Sequence, residues 1–285
     1  MAIISVANQK GGVGKSTAVI NLAAAFALKS AWRRPDNAGR ILVVDMDPQC
    51  NTYRTFAGGI FYQEEYESAP VTLADFLGYR TNLSLSSAIL TSSLPHRGQG
   101  NLDYIFTTPP SMKAIRNELA GSGAADAGFR LVEALDEVRG LYEHIFIDTG
   151  PVEDWLTTNA LVASTHVIFP VEAAGFSLQG IEENLVYIGK IQNRLNPELS
   201  IAGILPSRFH SKILTQQAII DLLNANYPDL VLPIITERAA IFDAVQAGMD
   251  IFSFKPARAH GKLKSSDPAT LEFAAVANTL ERKIN

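Results

Sequence analysis

Apolar residues fall along this chain in short unbroken runs, separated by longer stretches where they recur every three to four positions. The runs Ile3-Ile4-Ser5-Val6-Ala7, Ile41-Leu42-Val43-Val44, His144-Ile145-Phe146-Ile147, Val167-Ile168-Phe169-Pro170-Val171, Ile201-Ala202-Gly203-Ile204-Leu205 and Leu230-Val231-Leu232-Pro233-Ile234 have strand length. Continuous apolar character marks strands buried on both faces, as in parallel sheets. Between them, residues 18–28, 129–142, 177–195, 214–225 and 239–247 carry helical periodicity. This alternation predicts an α/β fold: a mainly parallel twisted β-sheet flanked by helices on both faces. In such sheets ligands bind beyond the carboxyl ends of the strands.

Two segments interrupt the rhythm and read as loop insertions, near residues 30–39 and 58–100. Within the second, Thr72 followed by Leu73-Ala74-Asp75-Phe76-Leu77 predicts a short helix behind a threonine cap. Gly121-Ser122-Gly123 reads as a flexible loop. No internal repeat appears, so the simplest organisation is one domain over residues 1–285.

Composition changes this picture little. Hydrophobic residues make up 47% of the chain and charged ones 19%, as in an ordinary globule. The single cysteine, Cys50, permits no intrachain disulfide and fits a reducing cytosol. Met1-Ala2 runs directly into the first strand, so no signal peptide is expected. The best membrane candidate, residues 162–176, is broken by His166, Pro170 and Glu172. These features point to a cytoplasmic protein. The net charge of −5 conceals an asymmetry: residues 190–285 hold 11 Lys+Arg against 9 Asp+Glu, the rest 13 against 20. Any contact with nucleic acid belongs in the C-terminal third.

The chemistry lies at the predicted strand ends. Lys10-Gly11-Gly12-Val13-Gly14-Lys15-Ser16-Thr17 joins the first strand to the first helix. Glycines let the backbone wrap an anion, and the helix N-terminus adds positive potential. Lys15 suits the β- and γ-phosphates of a nucleotide, and the Ser16 hydroxyl suits Mg²⁺. The strict P-loop pattern has glycine where Gln9 stands, and here a second lysine, Lys10, precedes the glycines. After the second strand, Asp45-Met46-Asp47-Pro48-Gln49-Cys50-Asn51 places two carboxylates two residues apart. One can orient Mg²⁺ or its waters, and the other can position an attacking water. Ile145-Phe146-Ile147-Asp148-Thr149-Gly150-Pro151 ends a third strand in an acid suited to the Mg²⁺ water shell. Cys50 alone cannot build a redox or cluster site, and the five histidines show no metal spacing.

These motifs resemble the deviant Walker A signature of the ParA/MinD family of ATPases, and a weaker resemblance extends from Ile3 to about Leu280. It implies that Lys10 reaches across an ATP-dependent homodimer to the partner's nucleotide. It makes Lys10, Lys15 and Asp47 the catalytic residues, Asp47 being the carboxylate of switch I. Ser16, Asp45 and Asp148 then serve the metal. Gly11 to Thr17 bind nucleotide, with the Gly150 N–H in switch II near the γ-phosphate. The segments Ile234-Ile235-Thr236-Glu237-Arg238 and Asp243 to Gly248 resemble the family's adenine region, implicating Thr236 and Arg238. The chain departs from the family text at Gly150 and Thr236, where proline is usual.

Two late basic groups remain. One comprises Arg208, His210 and Lys212. The other is Lys255, Arg258, His260, Lys262 and Lys264, with no acid between them. Residues alone leave a solvated loop and a phosphate-backbone contact equally open. The resemblance favours nonspecific DNA binding through Arg208, Lys212, Arg238, Lys255, Arg258, Lys262 and Lys264. It further implies a slow Mg²⁺-dependent ATPase for plasmid or chromosome partition, associated with the nucleoid and stimulated by a ParB-like partner. A MinD-like membrane-positioning ATPase and a positioner of protein cargo are the alternatives. The tail from Leu271 to Asn285 is helical in pattern. Its alanines, Glu272 and Glu281 suit packing on the domain better than insertion in lipid.

Overall fold

A computed structural model describes residues 1–34, 36–57, 71–92, 94, 101–172, 177–254 and 267–285. Its seven strands are β1 (Ala2–Val6), β2 (Ile41–Asp45), β3 (Ile89–Thr91), β4 (Leu102–Ile105), β5 (His144–Asp148), β6 (His166–Glu172) and β7 (Ser200–Ser207). They form one sheet in the order β3-β4-β2-β5-β1-β6-β7, parallel except for β3 at one edge. The α/β class expected from the hydrophobic runs is the observed one.

Ten α-helices cover the sheet among the described residues: α1 (Lys15–Arg33), α2 (Asn51–Phe56), α3 (Leu73–Leu77), α4 (Pro109–Ser122), α5 (Arg130–Asp136), α6 (Trp155–Ala163), α7 (Ser177–Arg194), α8 (Leu214–Asn226), α9 (Ala239–Gln246) and α10 (Pro268–Ile284). Helix α1 is buried along most of its length because it lies against the sheet and also beneath α10. Val19, Leu22 and Phe26 of α1 share a core with Phe273, Val276 and Leu280 of α10. Glu281 closes the end of this pair, 2.9 Å from Lys29 and bonded to Arg33. A second core joins α6, α7 and α8 to β6 and β7 through Leu161, Ile188, Ile220 and Phe169.

Several expectations need correction. Helix α1 continues to Arg33, through the first residues of the supposed 30–39 insertion. The 58–100 segment contributes the edge strand β3, and β4 follows directly. Residues 129–142 form only the seven-residue α5, then a 3₁₀ turn at Arg139–Leu141. Gly121 and Ser122 lie in α4, which stops where Gly123 takes a φ of 59°. The run Leu230–Ile234 makes one isolated bridge, Val231 to Ile204, in place of a regular strand. Pro233 has no N–H to give to a ladder. The segment still hangs on β7, with Leu232 N donating to Ile204 O at 2.8 Å and Ile235 N to Pro206 O at 2.8 Å. The threonine cap at Thr72 is present, with the Thr72 N–H donating to the Asp75 carboxylate at 2.7 Å.

Candidate nucleotide site

Sheet register brings the motifs together. In β5, Asp148 is the register partner of Val6 on β1 and of Asp45 on β2. Both carboxylates therefore end their strands beside the loop that leaves β1. That loop turns through Gly12 at φ 77° and Gly14 at φ 90°, values that side chains resist. Gly14 caps α1, whose first turn contains no acid to compete with an anion. The loop is clamped from β7, where the Ser207 hydroxyl donates to Val13 O at 2.7 Å.

Lys15 lies folded into this loop, donating to Asn8 O at 2.9 Å and Lys10 O at 3.1 Å. Burial lowers its pKa, and the charges of Asp148 and Asp47 oppose that shift. A cavity of about 660 Å³ opens before it, lined by Gly11, Gly12, Gly14, Lys15, Ser16, Thr17 and Asp47. Lys10 does not line it. Its side chain is 59% exposed and pairs with Glu172 at 3.3 Å. Val13 packs inward and is buried.

The three acids differ in what they offer. Asp47 is nearly buried, faces the cavity, and accepts from Gln49 N at 2.9 Å. Asp45 has both oxygens engaged by backbone: Oδ1 accepts from Asp47 N at 3.0 Å and Oδ2 from Tyr53 N at 2.9 Å. Burial, then the charge of Asp148, raise its pKa well above the carboxylate range. One backbone N–H on each Asp45 oxygen thus holds the loop over β2, and two of the four lone-pair sites of the carboxylate are used in doing so. Asp148 is fully buried, and Oδ2 accepts from the Thr52 hydroxyl at 2.6 Å. Burial pushes it up to about 6, against the nearby Ser16 and Thr52 hydroxyls, which favour the charged form. No hydrogen bond of ordinary length reaches its Oδ1 among the described residues. An orphaned buried carboxylate oxygen beside a serine hydroxyl fits a hydrated divalent cation.

Gly150 stands against Asp47, and a Cβ there would meet Asp47 Oδ1 at 3.7 Å, an ordinary contact. Its neighbour Thr149 is fixed by a 2.9 Å bond to Val6 O.

A second cavity of about 420 Å³ shares Gly12, Gly14, Thr17 and Gln246 with the first. Thr236, Arg238 and Phe242 line it, along with Arg208. Glu272 of α10 orients its wall, accepting from Thr236 N at 2.9 Å and from Arg238 at 2.6 Å. The expected adenine residues thus reach a space continuous with the phosphate loop.

Arg208 and Arg238 both border the second cavity, each paired with an acid. A φ of 53° turns Arg208 back toward the loop, where it donates to Gly12 O at 3.3 Å and meets Glu237 at 3.2 Å. Desolvation raises the pKa of Glu237, but Arg208 and His210 outweigh it and leave the carboxyl below its usual range. Lys212 is exposed. Lys255, Arg258, Lys262 and Lys264 lie outside the described residues. Sequence reasoning missed Asn51 and Arg54 as lining residues and Thr52 as the partner of Asp148. Only adjacency to the Asp-Pro-Gln segment could have pointed to them.

A parallel sheet with a glycine loop, a buried lysine and strand-end carboxylates around one cavity defines a P-loop nucleotide-binding protein. A family model described as an AAA domain matches residues 1–201. The chain is 30% identical over 236 residues to the chromosome partitioning protein ParA of Myxococcus xanthus, covering 83% of this chain and 75% of that one. The fold matches a Borrelia burgdorferi plasmid partition protein bound to AMPPNP (TM-score 0.72, 21% identity, 99% of both chains). It also matches the Mycobacterium smegmatis cobyrinic acid a,c-diamide synthase with bound ATP analog and magnesium (TM-score 0.71, 23% identity, 99% and 95% of the chains). The chain belongs to the ParA/MinD family of deviant Walker A P-loop ATPases.

Proposed function

We propose that this chain, acting as one ATPase domain over residues 1–285, is a ParA-type partition ATPase that binds Mg²⁺–ATP and dimerises around it. The observation that carries this reading is the division of labour between two lysines. Lys15 already occupies the loop's interior, and Lys10 stands exposed outside its own cavity. A cation placed so is available to a nucleotide on a second copy, and the Lys10–Glu172 pair is exposed enough to exchange partners cheaply.

Lys15 holds the β- and γ-phosphates, with Gly11 to Thr17 supplying backbone donors. Ser16 and Asp148 hold the hydrated Mg²⁺, which when bound neutralises charge on the phosphate oxygens. Asp47 positions the attacking water, the Gly150 N–H lies toward the γ-phosphate, and Thr236 and Arg238 border the base. ATP binds the dimer better than the monomer and so shifts that population. The dimer binds DNA without sequence preference through Lys212 and the run Lys255, Arg258, Lys262 and Lys264. Hydrolysis is slow until a ParB-like partner stimulates it, and the protein resides on the nucleoid. Phe273, Val276 and Leu280 of α10 are packed in the core with α1, which disfavours the lipid-binding alternative.

A mobility-shift titration with ATP, ADP and no nucleotide tests the reading. DNA binding should require ATP and weaken steeply with salt, with a logarithmic slope of roughly −0.9 per phosphate contacted. Equal binding in all three states refutes the nucleotide switch. Absence of binding in every state favours a protein cargo.

A further inference from the structure

The switch segment and the strand-end acids are joined by a hydrogen bond that the proposed chemistry does not require. Thr52 sits in the first turn of α2, wholly buried, and its hydroxyl donates to Asp148 Oδ2 at 2.6 Å. One residue later, Tyr53 N donates to Asp45 Oδ2, and Asp45 Oδ1 accepts from Asp47 N. Two neighbouring carboxylates of β2 and β5 thus hold residues 47, 52 and 53. Asp47, the cavity-facing acid, is thus the first of the three residues held.

We propose that Thr52 is a positioning residue: its hydroxyl fixes the plane of the Asp148 carboxylate, leaving Oδ1 for the metal shell, and ties that shell to the segment bearing Asp47. The proposal rests on the Mg²⁺–nucleotide reading above. A hydroxyl has one proton to give, and here it is given to Oδ2 while Oδ1 is left without a hydrogen-bond partner among the described residues. A carboxylate held at one oxygen cannot turn both lone-pair sets away from its ligand. Without the hydroxyl, Oδ2 becomes a second orphan in a buried site already crowded by Asp45 and Asp47. Partners of this kind behind a metal ligand typically contribute about 10–100-fold in metal affinity. A purely structural role in capping α2 would instead appear as lost stability with the Mg²⁺ requirement unchanged.

The experiment compares wild type, Thr52→Val and Thr52→Ser using a fluorescent ADP analogue titrated with Mg²⁺. Valine keeps the shape and removes the donor; serine keeps the donor and removes a methyl group. Thr52→Val should need about tenfold more Mg²⁺ for half-maximal tightening. Thr52→Ser should stay near wild type, and all three should bind alike in chelator. Unchanged Mg²⁺ dependence in Thr52→Val overturns the proposal, as does equal weakening with and without Mg²⁺. If Thr52→Val does not fold, Thr52→Ala takes its place in the same titration beside Thr52→Ser: a raised Mg²⁺ requirement in alanine that serine does not show is the expected result, and an alanine variant with the wild-type Mg²⁺ requirement overturns the proposal. A wild-type protein whose nucleotide binding ignores Mg²⁺ overturns the metal–nucleotide reading itself, a result distinct from failure of Thr52 alone.

Discussion

Replacing Asp148 by Asn should stabilise the metal-free protein even as it abolishes the response to Mg²⁺. The carboxyl is fully buried at the end of β5 and adjoins Asp45 in register. Burial moves it from the ordinary 3.8 up to about 6. The folded chain therefore holds this proton more tightly than the unfolded chain does. Between those two values the native state binds more protons, so the contribution to stability is intact below pH 3.8 and is lost as pH rises through about 6. At about 1.4 kcal/mol per pH unit, this costs roughly 3 kcal/mol near neutral pH. Asparagine escapes that cost and keeps an acceptor for Thr52, but its amide N–H groups enter a site with no acceptor prepared, at about 1–2 kcal/mol. A net gain of about 1–2 kcal/mol remains, a rise of several degrees in melting temperature for a chain of this size. The assay is thermal or urea denaturation in chelator, near neutral pH and near pH 4. The advantage of Asp148→Asn should be present at the first and absent at the second, where the wild-type acid is itself protonated. Adding Mg²⁺ and nucleotide should reverse the ranking, because only wild type gains by linkage. A variant less stable than wild type at both pH values in chelator would refute the reasoning.

Other substitutions probe separate parts of the site. Lys15→Ala should weaken nucleotide binding roughly 10–100-fold in equilibrium titration, the value of a charge-assisted contact. Asp47→Ala should bind ATP normally but hydrolyse it far more slowly, prolonging the ATP-bound dimer and its retention on DNA; rapid turnover would move the water-positioning role elsewhere. Gly203→Ala would set a Cβ 2.5 Å from Leu232 Cγ and 2.8 Å from Leu230 O. It should cost about 1–3 kcal/mol in denaturation and weaken nucleotide binding, since the displaced segment continues into Thr236.

The β1–loop–α1 unit and both strand-end acids were legible because each lies within a local pattern: a buried apolar run, then glycines or an acid. What escaped the sequence depends on distant partners. β4 was hidden by Asp103, a charge at the centre of an otherwise apolar strand. That acid is fully buried yet satisfied by Arg40 at 2.8 Å, Thr91 at 2.8 Å and Tyr142 at 3.0 Å, all distant in sequence. The start of α4 did carry a local signal, the Thr108 cap followed by Pro109. Leu230–Ile234 has the composition of a strand, but Pro233 limits it to a single isolated bridge at Val231. Arg208 read as a free basic residue because its left-handed backbone, which turns it toward Gly12, leaves no mark in composition. Asp45 and Asp47 look equivalent in sequence. Only the fold of the loop over β2 shows that Asp45 accepts from two backbone N–H groups of that loop while Asp47 faces the cavity.

The division of labour between the lysines is tested most directly by sedimentation velocity with Mg²⁺–ATP. The hydrolysis-impaired Asp47→Ala protein should sediment as a dimer with ATP and as a monomer with ADP. Adding Lys10→Ala should return it to a monomer with ATP, while nucleotide titration still shows binding, because Lys10 lies outside its own cavity. A double variant that binds ATP and remains a dimer would contradict the assignment of Lys10 to the partner's nucleotide.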